Sequence, residues 1–219
     1  MKPFDSDGKF RSVIKSEGLR QAAVRSAGVT IAGQAASFAV QIGSVMILAR
    51  LLAPADFGIV TMVTTFSLLF RSFGQNGFTE LIMQREEMTH SLASNLFWIE
   101  LWMGAVLTVA FASSGRLLAL FYHNPAVTQV AEGLSLTIGI GCLSWIHWGL
   151  LQRAMRFRVT SIISFVGQLV LMLVSILLAT AGWHYWALVW GSVTQTTVAA
   201  AGAWWVCRWI PSRPSRASG

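Results

Sequence analysis

The chain has 219 residues, of which 54% are hydrophobic and 11% charged, with a net charge of +7. A soluble domain carries about 25% charged residues, so this sequence lacks the polar surface a water-facing globule needs, and ten Trp with thirteen Phe deepen the deficit. The basic excess forms no groove or stripe but sits at the ends of apolar runs, which argues against nucleic acid as a partner and for lipid as the solvent.

In chain order, residues 1–25 are polar and basic. They lack the short apolar core and small-residue cleavage site of a secretory signal, and read as a basic cytoplasmic segment, an interfacial helix or an unstructured stretch. Six apolar segments follow, at about 27–49, 57–83, 92–113, 128–150, 160–181 and 187–209. Each is long enough to cross a hydrocarbon core of about 30 Å as a helix. In lipid every backbone group must be paired within its own segment, and nothing here alternates like a barrel strand, so helix is the only choice. The fold class predicted is therefore all-α, a polytopic membrane protein whose six transmembrane helices form one lobe over residues 26–209, with a cytoplasmic tail at 210–219.

The connections carry their own signals. "RLLAPADFG" (50–58) is a hairpin: Arg50 ends the first helix, Pro54 cannot continue it, and the next begins near Phe57. Residues 114–127, "SGRLLALFYHNPAV", are too polar at their C-terminal end to span and are expected to lie as an amphipathic piece on the outer interface. "GWHYWAL" (182–188) joins the last two spans so tightly that they must be antiparallel neighbours, with Trp183, Tyr185 and Trp186 in an aromatic belt. Counting Lys and Arg by loop puts thirteen on the side of both termini and two, Arg50 and Arg116, on the other. By the positive-inside rule both termini are cytoplasmic.

Arg71 is the one basic residue inside a span, roughly 18–21 Å from either surface. A cation at that depth costs at least about 2.5–3.5 kcal/mol, so it must face a partner or a hydrated cavity. Glu100, about 14 Å into the third span, is at a depth that allows an ion pair with it. Around these two lie further polar residues. Gln34, Ser37, Gln41 and Ser44 recur at +3, +4, +3 on one face of the first span. Gln75 and Asn76 lie a turn beyond Arg71, Gln168 sits in the fifth span and Thr194 to Thr197 flank Gln195 in the sixth. Singly such residues bond helix to helix; as a set with Arg71 they read as the wall of a wet path. Arg71, Gln75, Asn76, Gln34, Gln41 and Glu100 are the substrate-path candidates. Cys142 and Cys207 read as small buried hydrophobes, and His147, between Trp145 and Trp148, as an interfacial residue. No metal-ligand spacing, phosphate loop, nucleophile triad or paired acids appear in the sequence, so no metal, cofactor or enzyme chemistry is expected.

Several stretches together resemble a known family: "LARLLAPADFGIVTM" (48–62), "LIMQR" (81–85) with "SNLFWIELWMG" (94–104), "LFYHNPAV" (120–127), "LLQRAMRFR" (150–158) and "YWALVWG" (185–191). They are similar, in order and spacing, to polysaccharide flippases of the Wzx/WzxC type in the multidrug/oligosaccharidyl-lipid/polysaccharide (MOP) exporter superfamily. The resemblance implies a bacterial inner-membrane protein that flips an undecaprenyl-diphosphate-linked oligosaccharide for polysaccharide or lipopolysaccharide biosynthesis, by alternating access between two six-helix lobes. It also implies that basic residues of the central cavity meet the anionic cargo, which places Arg71 on the path.

The resemblance covers the N-terminal lobe alone, and "WIPSRPSRASG" (209–219) reads as a terminal tail. The expectation is a truncated or split flippase, a half-transporter that pairs with a second lobe or a second copy, or a remnant. Two other readings stand beside it: a non-transporting membrane subunit that binds envelope-synthesis proteins, and a cation-coupled small-molecule antiporter using Glu100.

Overall fold

The computed structural model describes Pro3 and residues 19–84 and 89–212, with side chains at 28, 30–72 and 89–212. Among the described residues seven helices follow one another: α1 (Leu19–Leu51), α2 (Pro54–Gln84), α3 (His90–Tyr122), α4 (Ala126–Cys142), α5 (Trp145–Arg153), α6 (Phe157–Thr180) and α7 (Trp186–Cys207). Three of these, α1 from Thr30 onward, α3 and α6, are long and apolar enough to cross a membrane, and α4 with α5 makes a fourth if the pair, bent by 45°, is one span. Outward-facing Ile31, Phe38, Trp102, Val109, Leu177 and Trp205 are each more than 60% exposed. A bundle with so apolar an exterior is solvated by lipid, and the protein is a polytopic membrane protein.

The helix ends follow their local chemistry. α2 starts at Pro54, three residues before the expected Phe57, because the first turn of a helix has no use for the missing N–H and favours the ring's fixed φ. Thr89 caps α3 by accepting the N–H of Leu92 at 3.3 Å. That helix does not stop at residue 113. It runs on to Tyr122 and ends where His123 turns left-handed at φ 52°. Residues 114–122 of the stretch expected to be a separate interfacial piece are therefore the last nine residues of α3, and 126–127 already belong to α4. In this end of α3, Gly115 and Leu118 face α4, while Leu117, Leu120 and Phe121 point outward. Thirty-three residues make a rod of about 50 Å, longer than a hydrocarbon core of about 30 Å. After α6 the chain reverses at Gly182, φ 79°, the left-handed position that glycine fills without strain.

Packing sets the site. Across α6 and α7, Gly191 faces Ser175, Gly202 faces Ile163 and Gly167 faces Gln195, the falling register of an antiparallel pair. α1 packs on α6, whereas α2 packs on α3, α4 and α5. The two helices of the first hairpin thus part company. They are gathered at the turn end by Leu48, Leu52, Phe57, Ala179 and Ala187, where His184 Nδ1 also comes within 3.7 Å of Asp56. A larger cluster (Val63, Phe111, Val127, Leu134, Ile138) fills the space between α2, α3 and α4. At the opposite end Phe97, Ile146, Leu150, Cys207 and Trp209 form a separate core.

Candidate functional site

Between those cores, where α2 leans on the broken helix and away from α1, lies a cavity of about 410 Å³. Arg71 of α2 forms one wall. Ser144 and Trp145 at the α4–α5 break, with Trp148 and Gln152 of α5, form the next, and Ser164 and Gly167 of α6 and Gln195 and Thr196 of α7 close it. The break is what opens this wall. Ser144 Oγ donates back to Gly141 O at 3.0 Å, Trp204 Nε1 donates to Leu143 O at 2.7 Å, and these partners substitute for the helical bonds lost at residues 143–144. Gln195 Nε2 donates to Gln168 Oε1 at 3.0 Å, and Thr196 Oγ1 to Ser192 O at 3.0 Å. Both residues keep further polar atoms for the cavity.

The expected residues are distributed unevenly. Arg71 lines the cavity, half-buried. Gln34 and Gln41 do not; they are exposed on α1, and only Ser44 of that stripe is buried, on the side where Gly33 approaches Ser161 of α6. Gln75 and Asn76 lie where the side chains of α2 are outside the described residues. Glu100 is fully buried, and among the described residues neither carboxylate oxygen meets the geometry of a hydrogen bond. Among the described residues it forms no ion pair with Arg71. The thiol of Cys142 on α4 meets α3 one turn beyond Glu100. Gly104, one turn after Glu100, leaves no room for a Cβ against that thiol, which brings α3 and α4 into contact there. Cys142 and Cys207 are buried, as expected of small hydrophobes.

His147 is not an interfacial group at the surface. It is fully buried, stacks on Trp204 with ring centroids 4.1 Å apart, and donates from Nε2 to Trp209 O at 3.2 Å. Composition missed Ser144, Trp148, Gln152 and Ser164 as cavity residues. The signal for them was the Gly139/Gly141 pair just before Ser144 in an otherwise apolar run, which marks a bend.

The model of a polysaccharide biosynthesis protein family matches residues 47–218. The chain belongs to that family. Among its relatives is the succinoglycan biosynthesis transport protein ExoT of Rhizobium meliloti, 26% identical over 189 residues, which are 85% of this chain and 38% of ExoT. Another is the lipopolysaccharide biosynthesis protein WzxC of Escherichia coli, 25% identical over 112 residues, 51% of this chain and 23% of WzxC. The chain thus spans about two fifths or less of the length of these family relatives. No solved structure matches it.

Proposed function

We propose that this protein takes part in flipping an undecaprenyl-diphosphate-linked oligosaccharide across the bacterial inner membrane, with Arg71 receiving the anionic head group. The observation that carries the reading is a guanidinium near the middle of α2, without an ion-pair partner among the described residues, on the wall of a polar cavity. Its volume is in the range of small-molecule sites, about 300–1,000 Å³, and suits a head group with the lipid tail left outside. A mid-membrane cation is costly unless it is used, and an anionic cargo uses it. Family membership and the transport role in the name of ExoT support the same reading.

In this proposal all six segments span, both termini are cytoplasmic as the Lys and Arg bias requires, and a second lobe or a second copy covers the side of the cavity between α1 and α2. The test is binding of farnesyl diphosphate, a short isoprenoid diphosphate, to the protein in lipid nanodiscs. Arg71→Gln is expected to weaken binding at least tenfold, since a charge-assisted contact contributes about 1.5–3 kcal/mol. Equal binding by wild type and variant contradicts the assignment.

A further inference from the structure

Three turns meet at one end of the bundle. His184 of the α6–α7 turn comes within 3.7 Å of Asp56 beside the α1–α2 turn, and Tyr185 Oη donates to Gln129 Oε1 at 2.8 Å beside the α3–α4 turn. Over residues 50–58, 114–127 and 182–188, Arg50 and Arg116 are the only Lys or Arg. One face of a membrane protein is ordinarily poor in such cations, so a cation kept there calls for a cause. Two ordinary causes fail for Arg116. A basic residue in the last turn of a helix complements its dipole, but Arg116 lies six residues before the end of α3, whose last turn holds no basic residue. Among the described residues it also forms no ion pair and no side-chain hydrogen bond. Glu132, one turn beyond Thr128 on α4, is exposed and is not paired with it.

Arg116 instead lines a cavity of about 590 Å³ where the end of α3 meets the start of α4, together with Leu120, His123, Asn124 and Thr128. The turn builds its wall from donors. Asn124 Oδ1 accepts the N–H of Ala126 at 3.0 Å, which leaves the two hydrogens of Nδ2 to donate. Arg116 offers five N–H groups and the His123 ring at least one. Thr128 Oγ1 spends its hydrogen on Gly115 O at 3.3 Å. No carboxylate lines the cavity, so its polar chemistry suits an anion, and the start of α4 adds the positive end of a helix dipole. From this pocket a stripe of exposed Leu120, Leu117, Val109, Val106 and Trp102 runs back along one face of α3, each residue more than 60% exposed. We infer that the cavity binds the phosphodiester head group of an anionic membrane phospholipid, whose acyl chains lie along that stripe. A free phosphate matches the donors but has no use for the apolar track that begins at Leu120; a phospholipid matches both. The bound lipid ties the α3–α4 turn to its leaflet, and it does so independently of the Arg71 cavity, whose lining shares no residue with this one.

The experiment is native mass spectrometry of the full chain released from nanodiscs made of equal parts phosphatidylcholine and phosphatidylglycerol, which reads the lipid that stays bound. The wild type is expected to retain phosphatidylglycerol in preference to phosphatidylcholine. Arg116→Gln should lower that retention about fivefold, the factor that one basic residue near the surface contributes toward an anionic lipid. Arg50→Gln removes the same charge from the same end of the bundle and should leave retention as it is. Excess inorganic phosphate, added before release, should not displace the lipid. Equal retention of the two lipids by the wild type, no loss in Arg116→Gln, or an equal loss in both variants overturns the inference. Displacement by inorganic phosphate makes the pocket a site for the free anion, and displacement by farnesyl diphosphate makes it a site for a diphosphate lipid; either result overturns the assignment to a phospholipid.

Discussion

Arg71 and Glu100 stood out in the sequence as charges within long apolar runs; how they sit relative to each other did not. Depth along a helix follows from counting residues, but which way each side chain faces depends on how α2, α3 and α4 rotate against one another. Glycine contacts set such rotations, at Gly104 against Cys142 between α3 and α4 and likewise between α6 and α7. Gly191 lies against Ser175 with no space for a Cβ, while Gly43 has nothing within 4 Å. Gly191→Val should therefore force α7 off α6 and destabilise the fold by about 1–3 kcal/mol, read as a lower thermal midpoint in nanodiscs. Gly43→Ala should leave the midpoint within error or raise it slightly. A similar loss in both would mean that α6 and α7 do not meet at this register. Gln34 and Gln41 show the opposite lesson: a helical spacing of polar residues defines a face, and only the neighbouring helix decides what that face meets.

Among the elements, the six apolar runs all fall on helices, but α2 and α7 are not among those long and apolar enough to cross a membrane, and the joints were read poorly. The fourth apolar run hides the break at Leu143–Ser144 because its residues are as apolar as those of an unbroken span, and the third run conceals an extra nine residues of α3 because an amphipathic end looks like a surface piece. A third joint lies after α7. Arg208 turns left-handed at φ 45°, and the chain folds back so that Trp98 Nε1 donates to Ser212 O at 3.0 Å and Ser212 N donates to Ser94 Oγ at 3.1 Å. This clasp holds residues 208–212 against the start of α3. Ser94→Ala removes the contacts of Ser212 N and Oγ to Ser94 Oγ, each worth about 0.5–1.5 kcal/mol, and leaves the bond from Trp98. Amide hydrogen exchange over residues 208–212 should rise by roughly fivefold or more, and unchanged exchange would show that the segment is held by its tryptophans alone.

For the molecule as a whole, the placement of Lys and Arg predicts that green fluorescent protein fused to either terminus fluoresces and that alkaline phosphatase fused there is inactive. Opposite outcomes at the two ends would require an odd number of spans. The larger claim is that the interior of the bundle around Arg71 is wet and attracts anions. In a protein whose two native cysteines are replaced by Ala, Ser164→Cys or Gln195→Cys should react with a membrane-impermeant anionic thiosulfonate faster than with its cationic counterpart. That preference should vanish in Arg71→Gln, and Leu173→Cys on the exposed outer face of α6 should stay unlabelled. Unreactive thiols at 164 and 195, or rates indifferent to reagent charge and to Arg71, would contradict the account.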